Sequence, residues 1–359
     1  MMDKVSEPSV AGQGKRLGFF SRLLDQASAA ERYRLAAEQI VHAEKHGFDS
    51  AWVAQHHFDE SEGGLPAPLV FLGMMATLTS RIRLGTGVIT LPLEHPVRVA
   101  EDVAVLDLLL NGRLEVGVGT GGTPSSFAAF GHDSNKRGAI FADHLNTLLG
   151  ALKGKPIAGT PNRLYPDGRG LIDRIWQATF SADGGHWAGL GGHGLLLSRT
   201  QPRRPEAPTA ALGDLQHPII DAYLAVLPKG RAPRIMASRS LFVADSRKEA
   251  RALAEAGLRR GLGRLRKTHI MRGESLDDLI ATFDVHVGTP DDVITSLQAD
   301  TILPRVTDLV FQVHSVDPPH PLILRSIELT AEKVAPALGW AGPASIKTGS
   351  RDAASTALV

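Results

Sequence analysis

Apolar residues along this chain of 359 residues fall into two alternating kinds of run. Short blocks rich in Val, Ile, Leu and Thr read as buried strands, and longer stretches with apolar positions every three or four residues read as helices. RLGFF at 16–20 is the first block, followed by a helix on which Tyr33, Ala36, Ile40 and Ala43 share a face. DSAWVAQHHF at 49–58 opens as a strand and finishes on polar groups, and a helix is predicted from Pro66 to Leu78. RIRLGTGVITLP at 81–92 has the β-branched content of a buried parallel strand. Pro96 then opens a helix with Val97, Ala100, Val103, Ala104 and Leu108 on one side, closed by the turn chemistry of NGR at 111–113. The alternation continues with strands at 113–119, 174–181, 194–198, 232–245 and 307–313. Helices are predicted at 137–152, 183–193, 214–227, 246–261, 290–299 and 320–338.

Eight strands, each followed by a helix and with no shift in composition between them, predict an α/β fold: a single-domain (β/α)8 TIM-type barrel with loop insertions, spanning 16–340. A doubly wound open sheet is the alternative that the same alternation permits. Residues 1–15 and 341–359 are small and polar and are expected to be flexible tails.

Composition narrows the function classes. The chain has no cysteine, so a disulfide framework, a thiolate nucleophile and a sulfur-held metal are excluded. Lys and Arg number 39 against 38 Asp and Glu, which gives no electrostatic reason to expect a nucleic acid or membrane surface as partner. The N-terminus lacks the apolar core of a signal peptide and no run of about 18 apolar residues occurs, so a cytoplasmic location is expected.

Reactive groups in a barrel sit at the C-terminal strand ends. Gln55, His56 and His57 end the second strand; neighbours on an extended segment point to opposite faces, so the two histidines are poor joint ligands for one metal. GVGTGG at 117–122 satisfies G-x-G-x-x-G, but no acidic residue follows about 20 positions on at a second strand end. A glycine-rich strand end that lets a ligand approach the backbone is the better reading. SADGGHWAGLGGHG at 181–194 carries six glycines in 14 residues. Ser181 is set to cap a helix, and the Gly184 and Gly185 amides offer a phosphate seat or, equally, a tight turn packed on a neighbour. Arg199, Arg203 and Arg204 form a basic loop, either solvated or meeting an anion at the mouth. A metal-dependent hydrolase would need ligands at strand ends such as Glu94, His95 and His314, but no ligand spacing supports it.

AEKHGFDSAWVAQHHF, LGTGVITLPLEHPVRVAEDVAVLD, GRLEVGVGTGG followed by FG at 130–131, and VGTPDDVITSLQAD together resemble the bacterial luciferase-like flavin-dependent monooxygenases, in order and spacing, across roughly 16–338. The resemblance implies a barrel that takes FMN at its C-terminal mouth, the reduced flavin coming from a separate NAD(P)H-dependent flavin reductase and acting with O2 on a small organic substrate. F420-dependent dehydrogenases on the same barrel and flavin-binding members without turnover are the alternatives. Position by position, the resemblance puts the catalytic histidine at His56 with His57 beside it. It puts the ring-backing pair at Gly87 and Val88 next to Thr86, and phosphate contacts at Ser181 and Gly184. Two departures stand out: Gln55 replaces an acidic residue and Thr120 replaces a phosphate-pairing arginine, for which Arg199 is a candidate substitute. Gly119 stands where luciferases carry a thiol. Relatives commonly form homodimers, so a homodimer is expected.

Overall fold

The computed structural model describes residues 15–265, 271–314 and 316–340, so the two expected tails lie almost entirely outside the described residues. Ten strands form one sheet: β1 (Arg16–Ser21), β2 (Ser50–Val53), β3 (Arg83–Thr86), β4 (Ile89–Thr90), β5 (Leu114–Gly119), β6 (Ile175–Ala178), β7 (Gly194–Leu197), β8 (Ile235–Val243), β9 (Val285–Gly288) and β10 (Asp308–Gln312). The helices are α1 (Ala29–Lys45), α2 (Pro68–Leu78), α3 (Pro96–Leu109), α4 (Pro124–Ala129), α5 (Arg137–Leu152), α6 (Ala182–Leu190), α7 (Leu212–Ala225), α8 (Arg247–Leu265), α9 (Leu276–Thr282), α10 (Pro290–Gln298) and α11 (His320–Leu329).

Pairing is parallel throughout, and β10 joins both β1 (Leu17 beside Leu309) and β8 (Ala237 beside Leu309), so the sheet closes on itself. Closure selects the eight-stranded barrel over the open sheet. The long strand at 81–92 is broken at Gly87 and Val88 into β3 and β4, and the peptide between these two residues is cis. Strand β9, only four residues long, pairs with the end of β8 and was not anticipated. Helix α9 was missed as well, although Ser275 and Asp278 form a reciprocal capping box at its start. Among the described residues no helix is long and apolar enough to cross a membrane.

Strand alternation divides the interior in two. Ala51 and Val53 join the main core under the helices, whereas Trp52 turns inward with Trp176, Leu196, Met236 and Val310 to fill the barrel. The two indoles meet edge to face with centroids 5.7 Å apart. Trp176 Nε1 donates to Glu115 Oε2 at 2.7 Å, and Arg83 holds the same carboxylate at 2.6 Å. Glycine makes this filling possible: a Cβ on Gly85 would lie 2.3 Å from Trp52, and one on Gly194 2.2 Å from Trp176. Gly194→Ala is therefore expected to destabilise the protein by about 1–3 kcal/mol through overpacking. Gly138→Ala on α5, where nothing lies within 4 Å, is expected to be neutral or stabilising by up to about 1 kcal/mol. Paired urea unfolding curves check both.

Candidate active site

At the C-terminal strand ends the barrel filling surfaces as Phe20, Val88 and Ala178, which are partly exposed and pack on the inner cluster. They form an apolar shelf. Two absent side chains keep it open. A Cβ on Gly87 would approach Phe20 to 2.7 Å, and one on Gly119 would approach Val88 Cγ2 to 2.9 Å. Val88 Cγ2 thus takes up the space that a side chain at Gly119 would need. Beside the shelf a cavity of about 150 Å3 is bounded by Gln55, His56, His57, Val88, Thr123 and Phe127.

The loop that follows β2 fixes the two histidines in different surroundings. His56 N donates to Leu65 O at 3.0 Å, closing the loop, and a Cβ on Gly63 would come within 2.5 Å of the His56 ring. The ring is therefore held on one side by bare backbone. Its Nδ1 faces Glu62 Oε2 at 3.9 Å, an electrostatic contact longer than a hydrogen bond. Thr123 Oγ1 donates to the same oxygen at 3.1 Å. His56 first, with Thr123, holds the Glu62 carboxyl well below the usual carboxylate range, at about 2, against the burial that opposes it. Glu62 and Thr123 were not among the sequence candidates; the only sequence signal is a carboxylate six positions after His56.

A depressed carboxyl stabilises the fold above the unfolded-state pKa, and that stabilisation is lost as pH falls through the folded value. Glu62→Gln is accordingly expected to narrow its stability gap to the native protein as the pH drops from about 5 to about 2, measurable by urea unfolding at stepped pH.

His57 turns into an aromatic cluster, edge-on to Phe130 with centroids 4.9 Å apart and 5.7 Å from Phe58. Burial pushes its pKa down, and its buried Nε2 has no hydrogen-bond partner among the described residues. Phe58 and Phe130 are themselves largely open to solvent and form an aromatic lip at the mouth.

The remaining candidates divide between the mouth and the framework. The Gln55 amide is fully engaged: Oε1 accepts from Thr90 N at 2.7 Å, and Nε2 donates to Glu94 Oε1 at 2.6 Å and Pro66 O at 3.1 Å. It holds β4 and the start of α2 in place. Thr86, expected at the cofactor, is fully buried and exchanges hydrogen bonds with Gly117 in both directions, at 2.8 and 2.9 Å. Its hydroxyl ties β3 to β5 and is sealed from solvent.

Ser181 caps α6 and accepts from Gly184 N at 3.1 Å, while Gly185 N donates to Ser181 O at 3.1 Å. Both glycine amides are thus already in use. Gly185 serves packing instead, because a Cβ there would lie 2.5 Å from Ile219 O on α7, and Gly189 approaches Tyr223 O in the same way at 2.3 Å. Ser181 itself stays exposed at the mouth. Thr120 is partly exposed and makes only a long contact with Gly121 O, at 3.4 Å. Arg199 reaches the ends of β10 and β8, donating to Gln312 Oε1 at 3.1 Å and Ser240 Oγ at 2.9 Å. The hydrolase ligands are not gathered: Glu94 accepts from Gln55, whereas His314 lies 3.3 Å from Asp25 beside a separate cavity of about 450 Å3.

Comparison with known proteins agrees with this architecture. Residues 17–300 match the family model of luciferase-like monooxygenases. A relative of similar length is the uncharacterized protein y4vJ of Sinorhizobium fredii, 28% identical over 332 residues that span 87% of this chain and 93% of that protein. The oxygenating constituent of 3,6-diketocamphane monooxygenase from Pseudomonas putida, solved with FMN, superposes with a TM-score of 0.74 at 20% identity, over 90% of this chain and 98% of that one. An F420-dependent secondary alcohol dehydrogenase superposes at 0.69 with 16% identity, over 91% and 99%. At such identities these superpositions establish the barrel alone.

Proposed function

Because the chain belongs to the luciferase-like monooxygenase family, we propose that it is a flavin-dependent oxidoreductase that oxygenates a small organic substrate with O2 and reduced FMN, the flavin being reduced by a separate NAD(P)H-dependent reductase. The observation that carries this reading is the apolar shelf of Phe20, Val88 and Ala178 lying beside the His56–Glu62 pair. Bound there, reduced FMN supplies the electrons and the reaction with O2.

The residues fit the ring of such a group well. Gly87 and Gly119 leave the shelf flat, as a planar ring requires. The phosphate end would be held more weakly, by the exposed Ser181 hydroxyl, with no arginine at Thr120. Losing a charge-assisted pair costs about 1.5–3 kcal/mol. This favours a flavin that arrives reduced and leaves oxidised over a permanently bound one.

The protein's own work is positioning, water exclusion and proton transfer. The buried layer beneath the shelf keeps solvent from below, and imidazole exchanges protons near neutral pH. With Glu62 ionised at Nδ1, the His56 ring is oriented to hold or release a proton at its opposite nitrogen. The aromatic lip of Phe58 and Phe130 suits an apolar substrate.

Competitive equilibrium titration tests the cofactor choice. Reduced FMN is expected to bind at least tenfold more tightly than oxidised FMN and more tightly than F420 in either redox state; a preference for F420 assigns hydride transfer to the barrel instead. A homodimer through α2 and α3 is also proposed, since Val70, Met74, Leu108 and Leu109 stand exposed on those neighbouring helices. A monomer in sedimentation equilibrium contradicts it.

A further inference from the structure

On the outer ring of helices, where α1 meets α11 and the turn that follows it, four side chains with metal-binding atoms converge. His42 lies in the last turn of α1 and His46 is the residue that ends it, four positions on, so the two rings share one helix face, tilted at 42° with centroids 4.4 Å apart. Opposite them, Glu328 near the end of α11 places Oε1 3.1 Å from His42 Nε2. One ligand atom from each of His42, His46 and Glu328 lies within 4.8 Å of the others. A π-helical turn, Thr330–Val334, follows directly and brings Glu332 Oε1 to 3.8 Å from His46 Nδ1.

We propose that His42, His46 and Glu328, with Glu332 as fourth ligand, form a binding site for a divalent transition-metal ion of the zinc class, which clips α1 to α11.

Three features of the site favour such an ion. Zinc bonds of about 2.0–2.2 Å in a tetrahedron set ligand atoms roughly 3.3–3.5 Å apart; the His42–Glu328 pair already stands at 3.1 Å, and His46 and Glu332 would have to move inward to complete the set. Two imidazoles and two carboxylates make a borderline donor set that suits zinc, nickel or copper and not magnesium or calcium. Glu328 is preoriented as well, because Arg325 donates to its Oε2 at 2.9 Å and is itself anchored on Asp245 at 2.8 Å, leaving Oε1 turned toward His42. The C-terminal end of α1 adds a negative dipole that favours a cation.

The four side chains are half-buried or exposed at the surface, so an ion enters without unfolding. They share no residue with the mouth of the barrel, and the ion has no part in the oxidation chemistry. Its consequence is mechanical: it links α1 to α11 and adds stability by binding the folded state alone.

The test uses the full chain with any affinity tag removed, stripped with EDTA and dialysed. Titration with zinc chloride by calorimetry is expected to give one ion per chain with micromolar or tighter affinity, and saturating zinc is expected to raise Tm by about 5 °C. Magnesium chloride is expected to leave Tm unchanged. His46→Ala and the milder His46→Gln are each expected to weaken zinc binding at least tenfold, while His132→Ala, at an exposed site elsewhere, leaves it intact. Absence of saturable zinc binding, or equal binding by both His46 variants and the unaltered protein, overturns the proposal.

Discussion

Turnover by His56→Ala is expected to fall by about 10²–10⁴, the usual worth of a positioned proton donor or acceptor, with reduced-flavin affinity changed less than threefold. The expectation rests on how much local structure is spent on one ring. The loop at 56–65 closes through His56 N on Leu65 O, Gly63 lies bare against the ring, and Glu62 with Thr123 faces Nδ1. Glu62 acts through His56 as a positioning residue, so Glu62→Gln is expected to cost about tenfold in kcat and to shift the acidic limb of the pH–rate profile. A general loss of structure would move KM and stability and leave the profile in place. Steady-state kinetics across pH on both variants make the comparison; unchanged turnover in His56→Ala reassigns the residue to structure. His57, packed on Phe130 and with its pKa pushed down by burial, is expected to respond more weakly.

The largest effect on stability is expected at Arg239. Its side chain is fully buried on β8, where Nε donates to Asp300 Oδ2 at 2.5 Å, one terminal nitrogen to Gln216 Oε1 at 2.9 Å and the other to Ser238 O at 2.8 Å. The guanidinium helps hold the Asp300 carboxyl below its ordinary pKa against the burial that would raise it. Arg239→Met leaves a buried carboxylate unpaired and is expected to cost about 3–5 kcal/mol. Adding Asp300→Leu removes the orphaned charge and is expected to recover most of that loss, since well-packed apolar pairs often match a buried ion pair. Urea midpoints at unchanged slope would report both changes as stability. A single variant as costly as the double would mean that packing, not charge, dominates at this position.

The barrel was legible because its signal is repeated eight times. Alternating short apolar blocks and 3.6-periodic stretches, each bounded by Pro, Gly or Asn, leave little freedom in element type, and all eight expected strands are present. Strand β9 was missed because Val285–Gly288 is too short to show alternation, and it exists only as a partner for the tail of a long β8.

The site was legible at its strand ends and illegible in its contacts. His56, His57, Gly87, Val88 and Gly119 do meet at the mouth, since the C-terminal end of a parallel strand points there in any such barrel. Sequence position does not tell whether a polar group near that end is free or spent, and Thr86, Gln55, Gly184 and Gly185 are spent on neighbouring residues, Gly184 on the Ser181 hydroxyl. The glycine-rich segment at 181–194 divides accordingly: Gly185 and Gly189 seat α6 on α7, Gly194 makes room for Trp176, and Ser181 stays exposed at the start of α6. Glu62 escaped notice because its pairing with His56 depends on a loop that returns on itself, a relation the linear pattern does not encode.

The central claim is that this barrel mouth holds reduced flavin for reaction with O2 away from water. The direct measurement is anaerobic mixing of the protein with reduced FMN, followed by rapid mixing with O2-saturated buffer while the return of oxidised-flavin absorbance is recorded. Flavin reoxidation in the presence of the protein is expected to be at least tenfold slower than in free solution and to saturate with protein concentration. Reoxidation at the rate of free reduced flavin, at every protein concentration, would contradict it.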